Sequence, residues 1–190
     1  MLNLKRICRK HKGFTLIEVI LALFISSIII IPIFSILDFS IKSCAKGDEK
    51  DQLMMNGRYA IEYIKNEIKA ADRIIVSDKI EWINKKFPNN MGFVILKIRE
   101  ENTFDKYTYI LYHQKNDNIV RVSYNLANNK YPEPNFAHGN NDLCEFLDSI
   151  SNTKIDIENS IIYLELDFKH DSGEKLKIKS DIYIRCPIEC

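Results

Sequence analysis

Hydrophobic positions run almost unbroken from Phe14 to Leu37, and Glu18 is the sole ionisable side chain among them. At ~1.5 Å per residue, a helix of that length crosses a hydrocarbon core of ~30 Å. A soluble helix ordinarily confines its apolar residues to one stripe, so a buried core helix fits this run poorly. Pro32 falls inside it and predicts a kink or local melting around Ile28 to Ile33. The pattern then turns amphipathic. Ala60, Ile64, Ile68, Ala71 and Ile75 recur at spacings of three and four, with Glu62, Lys65, Asn66, Glu67, Lys69, Asp72 and Arg73 between them. This predicts a helix over residues 38–75 whose uncharged face packs on a partner and whose charged face is solvated. Gly57 weakens that helix by about 1 kcal/mol relative to alanine.

Beyond Ile75 the period becomes alternating. "IEWI" at 80–83, "FVILKIRE" at 93–100, "YTYILYHQ" at 107–114 and "IVRVSYNL" at 119–126 predict strands, with "KNDN" as a hairpin turn. Residues 128–142, "NNKYPEPNFAHGNND", show no period and predict a long loop. The final hairpin is the clearest element. Ile162, Leu164, Leu166 and Phe168 alternate with Tyr163, Glu165 and Asp167; after "HDSGEK", Leu176, Ile178, Ile182 and Ile184 alternate with Lys177, Lys179, Asp181 and Arg185. One face is apolar and the other charged, as in an antiparallel sheet packed on a helix. A helix followed by strands gives an α+β class for residues 76–190 together with the helix before them.

Charge sharpens the picture. The net charge of +1 hides an asymmetry: Lys5, Arg6, Arg9, Lys10 and Lys12 precede the apolar run with no acid among them, so the remainder carries −4. The positive-inside rule places the N-terminus in the cytoplasm and residues after 37 outside. A mildly acidic external part lacks the basic stripe of a nucleic-acid binder, so no direct nucleic-acid binding is expected. A removable secretory signal would have a shorter apolar core followed by small residues at the cut, and here Asp38 and Phe39 follow instead. Lipoprotein-type processing before Cys44 is disfavoured by Lys42.

"KGFTLIEV", residues 12–19, resembles the class III signal of type IV prepilins and of the pseudopilins of secretion and competence systems. Gly13 matches the residue before the cut, Phe14 the new N-terminus and Glu18 the glutamate at the fifth mature position. The resemblance implies a cleaved basic leader (1–13), a transmembrane helix (14–37), an extracytoplasmic amphipathic helix (38–75) and a pilin-like β-rich domain (76–190). It also implies that a membrane prepilin peptidase cuts between Gly13 and Phe14 and methylates the freed amine. "NGRYAIEYIKNEIKAADRI", 56–74, is similar to the segment following the membrane helix in the J and W classes of minor pilins and pseudopilins. A proline somewhat later in the mature helix is common in the family, so Pro32 departs from the usual placement.

A carboxylate in hydrocarbon costs about 2.5–3.5 kcal/mol on insertion scales, and Glu18 therefore calls for a partner. In a bundle of parallel helices, Glu18 of one subunit can take the Phe14 amine of a neighbour displaced by a few residues. A buried charge is tolerated when paired, so such a pair fixes the stagger of subunits as a buried polar residue fixes a coiled-coil register. The other reading is a solvated or snorkelling acid near the membrane surface, and both hold if Glu18 pairs only on assembly.

The remaining reactive residues suggest no chemistry. Cys8 lies in the leader; Cys44, Cys144, Cys186 and Cys190 fall outside the membrane, where disulfides persist. Cys44 stands alone on the helix. Cys186 and Cys190 could close a tight loop, or Cys144 could pin the C-terminal strand, and the second is preferred. A metal site and a cofactor are not expected, since Cys186–Cys190 has no second pair nearby and His113, His138 and His170 are scattered. No phosphate loop or nucleophile motif appears, His113 is expected to be a surface histidine, and no enzyme is expected. The expected function is a structural, minor subunit of a type IV pilus-like or pseudopilus filament. Its expected partners are other pilins, the prepilin peptidase, the inner-membrane assembly platform and, before assembly, membrane lipid. The alternative is a membrane-anchored binding domain that stays monomeric, needing neither a cut at Gly13 nor a partner for Glu18.

Overall fold

The computed structural model describes residues 13–99, 104–135 and 137–190. The basic leader and Cys8 lie outside the described residues. The chain forms two units, one ending at Lys46 and one running from Gly47 to Cys190. Helix α1 (Leu16–Lys69) belongs to both, with its first part in one unit and its last turns in the other. The helix is continuous across Pro32, so the expected local melting does not occur.

In the second unit, the apolar stripe read from the sequence is the buried one: Ala60, Ile64 and Ile68 are fully buried, joined by Leu53 and Ile61. The helix ends at Lys69, six residues before its predicted end. Residues Arg73–Val76 form strand β1 instead, where the β-branched run Ile74–Ile75–Val76 pairs with a neighbouring strand. Ile75 therefore leaves the helical stripe and faces a different core from Ile74.

The six-stranded sheet also contains β2 (Asn90–Ile98), β3 (Tyr107–Lys115), β4 (Asn118–Leu126), β5 (Gly139–Cys144) and, at its far edge, β10 (Ile188–Glu189), in the order β10-β1-β2-β3-β4-β5. All pairs are antiparallel except β1 with β10, where Ile74 lies opposite Ile188. Pairs such as Ile95 with Ile110 and Tyr112 with Arg121 set the register of the central strands. A second sheet holds β6 (Leu147–Ser149), β7 (Lys154–Asp156), β8 (Ile161–Lys169) and β9 (Lys175–Tyr183), with β8 central and the β8–β9 hairpin paired along its whole length. Gly173 in the connecting turn has a φ of 95°, a conformation open to glycine at little cost.

Both faces of the six-stranded sheet are covered. Helix α1 covers one: Ile64 and Ile68 share a core with Phe93, Ile95, Ile110 and Tyr112, and that core extends to Leu164, Leu166 and Phe168 of β8. The other face holds Val94, Leu96, Tyr109, Leu111, Val122 and Tyr124 beneath Ile80 and Ile83. Here the structure corrects the sequence reading. "IEWI" is not a strand; Ile80 is the residue between a 3₁₀ turn (Ser77–Lys79) and helix α2 (Glu81–Lys86), and Glu81–Ile83 begin that helix. Ile80 and Ile83, three residues apart, then share one face and lie on the sheet. With this cover, β2 and β3 are buried on both faces along most of their length, where the sequence reading took them as alternating.

His113 is a second correction. It is buried rather than on the surface, with its ring 4.4 Å from that of Phe87 at centroid, and burial pushes its pKa down. Among the described residues, Cys44, Cys144, Cys186 and Cys190 are free thiols. Cys144 ends β5 on one edge of the sheet, whereas Cys186 and Cys190 flank β10 on the opposite edge, five strand spacings away. At ~4.8 Å per spacing this is roughly 24 Å, far beyond the ~4.4–6.8 Å between Cα atoms of a disulfide. The fold therefore does not bring Cys144 to the C-terminal strand, and β10 keeps the backbone between Cys186 and Cys190 extended.

Candidate functional site

The residues singled out by the sequence lie at the start of α1. Gly13 and Phe14 precede the helix in non-helical backbone, Phe14 is 88% exposed, and a Cβ at Gly13 would meet nothing within 4 Å. Packing among the described residues thus makes no demand for glycine at position 13. The side chains that follow, from Leu16 to Ile41, are exposed and mostly apolar, and the most apolar stretch has none of its residues buried within the described structure. Such a surface cannot rest in water and is matched by hydrocarbon or by other helices of the same kind.

Thr15 and Glu18 begin the helix together. The backbone N–H of Thr15 donates to Glu18 Oε2 at 2.8 Å, the Thr15 hydroxyl donates to the same oxygen at 2.9 Å, and the Glu18 N–H reaches Thr15 Oγ1 at 3.4 Å. This is a reciprocal capping box of the Thr-x-x-Glu type. The four leading N–H groups of a helix have no partner within it, and here side chains answer two of the donors at the first turn. A carboxylate there also lies at the positive end of the helix dipole. The sequence reading paired Glu18 with an amine or left it solvated and did not take up this cap, although Thr15 three residues ahead of Glu18 was the available signal. Both Thr15 bonds fall on Oε2, and among the described residues Oε1 accepts no hydrogen bond.

Residues 8–34 match the family model described as the prokaryotic N-terminal methylation motif. This is the class III signal of type IV prepilins and pseudopilins. Gly13, Phe14 and Glu18 all fall within the matched residues, as does the apolar helix through Phe34. Neither the curated proteins nor the solved structures gave a significant match to the chain. The prepilin-type motif, one long N-terminal helix and an α+β pilin-like domain describe a pilin-like subunit with an apolar helix suited to a membrane.

A second cluster of charge lies in the domain, where the sequence reading had placed only a solvated helix face. Glu67 is 8% exposed. Arg121 donates to it twice, from Nε to Oε2 at 3.2 Å and from Nη2 to Oε1 at 3.1 Å; Lys97 Nζ donates to Oε1 at 3.1 Å, and the Tyr112 hydroxyl donates to Oε2. Burial pushes the Glu67 carboxyl up, but the Arg121 and Tyr112 hydrogen bonds and the charges of Arg121 and Lys97 outweigh it and hold the group below its ordinary value. The Tyr112 phenol is driven far upward by burial and by the adjacent carboxylate. Lys97, Tyr112 and Arg121 all hydrogen-bond the one carboxylate, so the cluster ties α1 to β2, β3 and β4. Among the described residues, no three His, Cys, Asp or Glu side chains converge on a metal-sized position.

Proposed function

We propose that this chain is a minor structural subunit of a type IV pilus-like or pseudopilus filament. A prepilin peptidase cuts between Gly13 and Phe14 and methylates the new amine. The helix from Phe14 spans the cytoplasmic membrane with its N-terminus inside, and then passes to the filament through the inner-membrane assembly platform. The domain after it faces outward, with other pilins as neighbours. Glu18 sets the stagger by taking the Phe14 amine of an adjacent subunit.

The observation that carries this reading is the place of Glu18: Thr15 orients its carboxylate through Oε2, with no bond to Oε1 among the described residues, at the head of an exposed apolar helix inside the methylation motif. A neighbour's ammonium completes the acid's partners and offsets its transfer cost of about 2.5–3.5 kcal/mol. Co-expression with a prepilin peptidase should shorten the protein by residues 1–13 and add one methyl group, read by intact mass. Protein that keeps Met1 under those conditions refutes the processing. Glu18→Gln separates cap from charge, because glutamine also serves a capping box. It should be processed normally yet enter filaments poorly, and normal entry refutes the register role while leaving the processing untouched.

A further inference from the structure

Strand β9 borders the four-stranded sheet with one side unpaired. It pairs with β8 alone, in unbroken register from Lys175 to Tyr183. The Ile184 N–H donates to the Ser160 carbonyl at 2.8 Å, and the His170 N–H donates to the Glu174 carbonyl at 2.9 Å. Bonded and unbonded pairs alternate along an antiparallel ladder, so Leu176, Ile178, Ser180 and Ile182 turn their backbone groups toward β8. Lys175, Lys177, Lys179, Asp181 and Tyr183 turn theirs outward, where no further strand stands among the described residues. The far side of β8 keeps the same parity: the Glu165 N–H goes to Thr153 Oγ1 and the Lys169 N–H to the Phe146 carbonyl. Other sheet edges are shorter or interrupted. Strand β5 has six residues and a register shift, β6 and β7 have three residues each, and β10 has two.

Natural edges are blunted by proline, bulges or outward charge, and β9 has no proline and no bulge. Its charge is drawn off the rim. Lys177 Nζ lies 2.7 Å from Glu165 and 3.2 Å from Asp167, and Lys179 Nζ lies 2.6 Å from Glu165, so both heads lean over β8. In the ladder Glu165 lies opposite Lys179 and Asp167 opposite Lys177. Opposite charges across a ladder stabilise it and like charges do not, so the strand that continues this alternation beyond β9 carries acids. A second β9 does not: in the full-length antiparallel register it sets Lys179 against its own copy. The inner face is unfinished too. Leu176 and Ile178 are only half-buried, although Phe168 and Leu166 opposite them are covered. Beside them a crevice of about 290 Å3 separates β9 from α1, lined by Arg58, Ile61, Glu62, Ile178, Lys179 and Ser180.

We propose that β9 is a docking edge for an extended segment of another protein, in which acidic residues alternate with apolar ones. The segment adds to the sheet as an antiparallel strand, its backbone bonded to the outward groups of β9. Its acids meet Lys177 and Lys179 on the solvent face, and an apolar side chain on the other face enters the crevice beside α1. Main-chain bonds supply the affinity, while the lysines and the crevice supply the choice of sequence. The assignment concerns the domain and does not depend on the filament reading.

The probe is a capped peptide as long as β9 that alternates glutamate with valine, added to the full chain in detergent micelles. Binding is read by calorimetry and by residue-resolved amide hydrogen exchange. The peptide should slow exchange at Lys177, Lys179 and Asp181, whereas Ile178 and Ser180, bonded to β8, are slow with or without it. A lysine–valine peptide should bind roughly 10-fold more weakly or worse. Methyl groups on the glutamate nitrogens, which face β9 in this pairing, should abolish binding, and methyl groups on the valine nitrogens should not. Asp181→Ala should keep binding, and Asp181→Pro, which loses an outward N–H but no bond to β8, should weaken it. No binding, unprotected Lys177 and Lys179 amides in the complex, or equal binding by the two methylated peptides or the two Asp181 variants overturns the edge pairing. Equal binding of the lysine peptide overturns the acidic partner. Protection of those amides that grows with protein concentration alone shows a second copy on the edge and overturns the assignment as well.

Discussion

Removing the Glu67 carboxylate should be one of the most damaging single changes in the domain. Glu67→Ala leaves Arg121 and Lys97 with charge and no counter-ion, their side chains 15% and 24% exposed, and deprives the buried Tyr112 hydroxyl of its acceptor. Breaking a buried ion pair by deleting one partner costs about 3–5 kcal/mol, a large part of the ~5–15 kcal/mol that holds a domain together. Glu67→Gln keeps the shape and some bonds and should cost less, about 1–3 kcal/mol. Urea unfolding of the full chain in micelles, followed by the signal of the single tryptophan, Trp82, measures both, and a midpoint that moves at constant slope identifies a change in stability. The pH dependence has a fixed sign. The folded carboxyl titrates below 4.5 and the unfolded one near it, so the contribution of Glu67 is full above that value. It fades as pH falls through the lower, folded value. The quadruple change Glu67→Leu, Lys97→Met, Arg121→Met and Tyr112→Phe should recover most of the loss, because apolar replacements of similar volume commonly match a buried ionic cluster and the phenylalanine leaves no hydroxyl without an acceptor. A cost below about 1 kcal/mol for Glu67→Ala would show that the cluster is solvated and that the argument from burial is wrong.

Three further outcomes follow from packing and exposure. A Cβ at Gly57 would lie 2.2 Å from Ile178 Cδ1 and 2.9 Å from Phe168 Cε2, so Gly57→Val should lose about 2 kcal/mol by overpacking despite valine's better helix propensity; unfolding that matches or exceeds wild-type stability refutes the close approach of α1 to the β8–β9 hairpin. Burial pushes the Cys144 thiol up to about 11, so iodoacetamide at pH 8 should modify exposed Cys44 and Cys190 in the folded protein and reach Cys144 only after unfolding; equal labelling of all three, read by peptide mass mapping, contradicts the core placement. Thr15→Val removes the hydroxyl that both donates to Glu18 and accepts from it, which should cost the helix start about 1 kcal/mol and lower filament entry less than Glu18→Gln does; the reverse order would show that the cap, not the charge, is what assembly needs.

The N-terminal segment was legible because its signals are local. Gly13, Phe14 and Glu18 stand in fixed register before an apolar run, and neither the match nor the exposure of that run depends on distant residues. The capping box was equally local and could have been read from Thr15 and Glu18. The amphipathic stripe of α1 and the β8–β9 hairpin were likewise readable, since each repeats one period over many residues. Other features depended on contacts far along the chain. Glu67 looks like any acid on a charged helix face until Lys97, Tyr112 and Arg121, 30 to 54 residues later, are folded onto it. Gly57 reads as a weak helix position until Phe168 and Ile178 occupy the space beside it.

The sequence by itself determined that an apolar helix with a prepilin-type signal leads an α+β domain, because hydrophobic period, charge placement and a contiguous motif are properties of neighbouring residues. Tertiary structure alone decided that "IEWI" covers a sheet instead of joining one, that Cys144 lies on the opposite edge from Cys186 and Cys190, and which charges are buried. Those outcomes are set by strand order and by the second layer on each sheet face. Such pairings join residues distant along the chain, and the period of either segment is the same whichever partner it finds.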